Sequence, residues 1–195
     1  MKIDKDTYVL TEKNYHKNVY QKTQIVVGHT GRKDMRHFDC WLNRRNGNYK
    51  KTSAFTIDKK GEIYQHFNPK YYSDFLGIEQ DKCNISISLV NQGWLKLNEM
   101  NVYVDWLGHI YSKEIKPLET NWRDYRYWSN YTEEQFESLN FLIDHICGEF
   151  SINRDVITHN VYDENIDLFK GVTFRSNYFK NLTDVSPAFD IEKIK

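Results

Sequence analysis

Residues 131–150 constrain the fold more tightly than any other stretch of the chain. Thr132 followed three residues later by Gln135 is a capping-box pattern, in which each side chain satisfies a backbone N–H that the first helical turn leaves unpaired. Phe136, Leu139, Ile143, Ile146, Cys147 and Phe150 then recur at helical spacing and predict a core helix of about 16 residues. A stripe of that length has to be buried against a second layer, and the sequence supplies strands for it. Gln24–Val27 is a short apolar run that ends in Gly28, as a buried strand does. Ser53–Asp58 alternates, turns through Lys59-Lys60-Gly61 and resumes over Glu62–Phe67, a hairpin with glycine at its turn. Asn84–Asn91 again spaces its apolar residues by two, and Arg36–Leu42 predicts a helix after the first strand.

Strand, helix, hairpin, strand and helix in that order give a mixed α/β fold, a central sheet flanked by helices. No linker or internal repeat divides the 195 residues, so a single domain over 1–195 is expected. Residues 92–130 fit no periodic pattern. They are rich in aromatic residues, Trp94, Trp106, Trp122 and Trp128 among them, and read as an irregular insertion packed on the core.

Charge is balanced at 27 basic and 27 acidic residues, which argues against polymeric nucleic acid or a membrane surface as a partner. The balance is uneven locally. Between Arg32 and Lys51 stand seven basic residues and two acids, either a solvated face or an anion-binding rim. Cys40, Cys83 and Cys147 are widely spaced with no CxxC pair, which points to a reducing compartment. The first residues lack an apolar signal region and no stretch has membrane-spanning length, so a cytoplasmic location is expected.

Five short runs in order resemble the zinc-dependent N-acetylmuramoyl-L-alanine amidases, which share their fold with peptidoglycan recognition proteins. They are Val27–Thr30, Ala54–Gln65, Ile85–Gly93, Tyr131–Gln135 and Thr183–Phe189, together covering about residues 24–190. The resemblance implies a zinc ion held by two histidines and an Asp or Cys, with one position left for an activated water. Carried over position by position, the ligands are incomplete. The first falls on Gly28, two residues before Thr30, and His29 takes the neighbouring, non-ligand place. Because strand neighbours face opposite sides, His29 would reach a metal only after a change of register.

The second ligand position has two candidates. His159, in Val156-Ile157-Thr158-His159, lies 25 residues before Asp184 and requires a long intervening loop. The run Gly171–Tyr178 matches a later family pattern without that loop and puts Arg175 at the ligand position, and it is preferred. The third ligand, Asp184, is retained. Supporting positions also differ: Ser88 stands where part of the family has a glutamate, Leu182 where it has a lysine, and Phe75 where it has a pocket histidine.

Glycine offers no ligand, and a guanidinium stays protonated and repels a dication. The expected function is therefore a catalytically inactive, amidase-fold binding protein of phage or mobile-element type, with no cofactor. Arg175, Asp184, His29, Arg32, Lys33, Ser88 and Trp94 are its candidate binding residues. The ligand would be a small anion, a nucleotide-type signal or a muropeptide fragment, with Trp94, Trp106 and Trp128 as stacking candidates. Two alternatives stand beside it. One is an active zinc amidase using His29, His159 and Asp184 as metal ligands; the other is a protein-interaction module acting through the aromatic insertion. Oligomeric state is left open.

Overall fold

The computed structural model describes residues 1–195. Ten strands form in chain order: β1 (Ile3–Asp4), β2 (Gln24–His29), β3 (Phe55–Ile57), β4 (Ile63–Gln65), β5 (Asn84–Leu89), β6 (Trp94–Leu97), β7 (Tyr103–Val104), β8 (Ile115–Trp122), β9 (Tyr125–Ser129) and β10 (Gly171–Phe174). Three α-helices accompany them: α1 (His37–Asn43), α2 (Glu133–Phe150) and α3 (Arg175–Tyr178).

The main sheet has six strands in the order β1-β4-β3-β5-β2-β10, all parallel except for the β3–β4 hairpin. Its central strands are covered on both faces, which is why Ile25, Val26, Val27, Ile85 and Ile87 are almost wholly shielded from solvent. The α2 stripe of Leu139, Leu142, Ile143 and Ile146 is fully buried in this core. The expected capping box forms, with Gln135 N–H donating to Thr132 Oγ1 and Thr132 N–H to Gln135 Oε1, each at 3.2 Å. Gln135 Nε2 also donates to the carbonyls of Ile57 and Val90, tying the helix start to the ends of the sheet strands.

Residues 92–130 differ from the sequence reading. They are not irregular: β6 to β9 make a four-stranded antiparallel sheet in the order β7-β6-β9-β8. A register shift between Pro117 and Trp122 interrupts the alternation that would have revealed it. Trp128, within β9 of this sheet, is completely buried, so it is a core residue and not a stacking platform.

The parallel pairing has one consequence for function. In register, Val27 pairs with Phe174, and Gly28 pairs with Ser88. The carboxyl ends of β10, β2 and β5 therefore open on the same edge, where parallel α/β sheets usually present their ligand crevice.

Candidate functional site

At that edge β10 delivers Arg175, the first residue after its end, directly beside Gly28 of β2. The closing segment brings in Asp184, whose backbone carbonyl accepts a 2.6 Å hydrogen bond from Ser176 N–H. Arg175 Nη1 donates to Asp184 Oδ2 at 2.8 Å, forming an ion pair whose carboxylate is 6 % exposed and whose guanidinium is 22 % exposed. The N–H of His29 reaches the same oxygen at 3.3 Å. A β-carbon built on Gly28 would lie 2.5 Å from that oxygen, 2.7 Å from Arg175 Cδ and 3.1 Å from Phe75 Cζ. Glycine is thus what leaves room for the pair.

His29 turns the other way. Its Nδ1 lies 2.9 Å from the hydroxyl of Tyr131, which also accepts the N–H of Ser186. A β-carbon on Gly93 would stand 2.8 Å from its Nε2. Burial lowers the imidazole pKa, with Arg175 adding to the effect and Asp184 opposing it, so the ring is neutral near pH 7.

Two adjoining cavities flank this cluster and share His29, Thr30 and Trp106. One, about 370 Å³, is lined by Gln92, Trp94 and Asp184. The other, about 250 Å³, holds Arg32, Arg44, Lys51 and Arg175 together with Ser88, and no carboxylate lines it. A larger cavity of about 800 Å³ lies elsewhere, beside the start of α2, where its lysines are matched by carboxylates.

The sequence profile of the Amidase_2 family, N-acetylmuramoyl-L-alanine amidase, matches residues 18–169. The chain belongs to this amidase family. Amidase LysC from Clostridium intestinale URNW superposes with a TM-score of 0.58 at 15 % identity, over 100 % of this chain and 95 % of that one. The catalytic domain of XlyA gives 0.53 at 13 % identity, over 91 % and 86 % of the two chains. A selenomethionine derivative of AmpD gives 0.51 at 11 % identity, over 98 % and 89 %. At these identities the likeness establishes the fold. No curated protein matches the sequence. The profile match ends before Arg175 and Asp184.

The zinc typical of amidases does not fit the residues present. Asp184 is engaged by Arg175, Gly28 has no donor atom, and no group of three His, Cys, Asp or Glu side chains converges anywhere. His159 does not join His29 and Asp184. Its backbone carbonyl accepts from Asn177 Nδ2 at 2.9 Å and its Nε2 faces Asp163 at 3.8 Å.

Of the other candidates, Arg32, Ser88 and Trp94 line the two cavities at the carboxyl edge of the sheet, but Lys33 does not; it borders neighbouring depressions with Asp34 and Arg36. The basic run from Arg32 to Lys51 divides in the same way. Arg32, Arg44 and Lys51 face the cationic cavity, whereas Arg36 is spent on an ion pair with Asp34. Sequence reading passed over Asn14, which organises this run. Fully buried, it donates through Nδ2 to the carbonyls of Trp41, Gly47 and Tyr49 at 3.3, 3.1 and 3.0 Å. Nothing in its local sequence marks it, because its partners are 27 to 35 residues away.

Proposed function

We propose that this amidase-family protein binds a small anionic ligand at the carboxyl edge of its sheet and does not hydrolyse peptidoglycan. One observation carries the reading: the Arg175–Asp184 ion pair stands against Gly28, and these are the three residues that the amidase resemblance aligns with metal ligands. A fixed guanidinium there supplies charge-assisted hydrogen bonds to an anion and offers no activated water. The adjoining cavity, with four cations and no carboxylate, supports the same conclusion. Both a phosphorylated nucleotide-type molecule and a carboxylate-bearing muropeptide fragment belong to this ligand class.

Family membership favours a second reading, an active N-acetylmuramoyl-L-alanine amidase. The two separate cleanly. Protein purified without chelator is expected to carry no stoichiometric zinc and to release no peptide from muropeptides. Tight zinc together with turnover abolished by Asp184→Ala would establish the enzyme and reject the binding protein.

A further inference from the structure

Three of the four cations in the smaller cavity are laid on aromatic rings of the same cavity. Arg32 sits 4.8 Å above Trp106, Arg44 5.0 Å above Tyr49 and Arg175 4.7 Å above Phe75. Stacking fixes the plane of a guanidinium and leaves its N–H edges free for a planar acceptor. Arg32, Arg44 and Lys51 make no ion pair, and only Arg175 is offset, by Asp184. Three uncompensated charges therefore converge on a space of about 250 Å³.

Two atoms of this cavity's residues also lack partners in spite of burial: Arg175 Nε, a donor, and His37 Nε2. His37 is 4 % exposed and its Nδ1 faces the carbonyl of Asp34 at 3.3 Å, so Nδ1 carries the proton and Nε2 is an acceptor. Both atoms are closed off by their own neighbours, so recognition in the cavity falls to the outward guanidinium and ammonium groups. The cavity thus matches a compact group bearing several charges. Carboxylates spread along a peptide are a poorer match, because each brings one charge and its own bulk. Next door, the second cavity presents Trp106 to a flat heterocycle, beside a Trp94 already stacked on Tyr125 at 4.2 Å and a Gln92 amide held by Asp105.

We infer that the ligand is a nucleoside phosphate, its phosphates among Arg44, Lys51 and Arg175 and its base against Trp106, beside Trp94. This rests on the anion-binding reading above and narrows it to one chemical class. A phosphate accepts from several guanidinium edges at once, and the base lies against the face of Trp106 that Arg32 leaves open, beside Trp94.

Isothermal titration of the purified protein with ADP, GDP, pyrophosphate, adenosine and muramyl dipeptide tests it. Pyrophosphate and at least one of the nucleotides are expected to bind, and adenosine much more weakly. Arg44→Ala and Lys51→Ala, both at exposed positions where folding is not at stake, should each weaken nucleotide binding about tenfold, the loss of one charge-assisted contact. Trp94→Ala should weaken the nucleotide and leave pyrophosphate unchanged. Binding of muramyl dipeptide without pyrophosphate or nucleotide would overturn the inference and leave the anion-binding reading standing. Nucleotide binding indifferent to Arg44 and Lys51 would overturn the placement. If no anion binds at all, the broader reading fails with it.

Discussion

A β-carbon on Gly28 would approach within 2.5 Å of Asp184 Oδ2, so the Arg175–Asp184 pair holds this geometry only against a glycine. Gly28→Ala is therefore expected to destabilise the fold by about 1–3 kcal/mol, the usual cost of overpacking a filled site. Urea unfolding measures it. An unchanged midpoint would mean that the pair relaxes without cost.

Arg175→Met should cost more. It leaves the Asp184 carboxylate, 6 % exposed, without its cation, and breaking one side of a buried pair typically costs about 3–5 kcal/mol. The guanidinium is partly exposed, which places the expected loss at the low end. A double-mutant cycle with Asp184→Asn isolates the coupling between the two.

Restoring the family's ligands should restore the metal. The double variant Gly28→His, Arg175→His keeps Asp184 and would complete a two-histidine, one-carboxylate set. After dialysis it is expected to retain one zinc per chain by elemental analysis, where the natural sequence retains none. Failure of the double variant to hold zinc would show that residues 28 and 175 do not point at a common metal position.

Asn14→Ala should loosen the cationic rim without touching a ligand. It strips the carbonyls of Trp41, Gly47 and Tyr49 of their common donor, at a cost of about 1–3 kcal/mol. Arg45 and Asn46 hold left-handed backbone angles, φ 52° and 54°, in the loop so anchored. Hydrogen exchange confined to residues 41–50 should accelerate in the variant. A uniform increase along the whole chain would point to global destabilisation instead.

Stability should fall on acidification below neutral pH. Burial pushes His37 down to about 4 and His66 down to about 3, and it also lowers His29. An unfolded histidine takes up its proton near pH 6.5, so between there and the folded values the unfolded chain binds more protons. The contribution is present in full above about pH 6.5 and is lost progressively towards pH 3. Urea midpoints measured from pH 7.5 to 4 should drop, and His66→Gln should flatten the profile. His66 is fully buried, with Nε2 against Thr56 Oγ1 and Nδ1 against the Tyr8 carbonyl, so its effect separates from that of the candidate site.

Much of the fold was legible because its signals are local. The Thr132–Gln135 capping box, the Gly61 hairpin and the alternation of β5 each lie within a few residues and appear where expected. The sheet of β6 to β9 was not legible, since its pairings join residues up to 34 apart, as in Trp94 with Trp128, and a register shift breaks its period. For the candidate site, aligned motifs singled out Gly28, Arg175 and Asp184. They carried no information on Arg44, Lys51, His37 or the Asn14 anchor. Lys33 stood in an equally basic run, and only the path of the loop turned it away from the two cavities.

By itself, then, the sequence determined the family, the order of the core elements and the absence of histidine at two positions. Those are properties of residue type and spacing. Tertiary structure decided that Arg175 meets Asp184 over Gly28, and that three arginines lie stacked on rings around one cavity. The physical reason is the parallel register of β10, β2 and β5, which carries residues almost 150 positions apart to one edge and leaves their charges to pair or remain free.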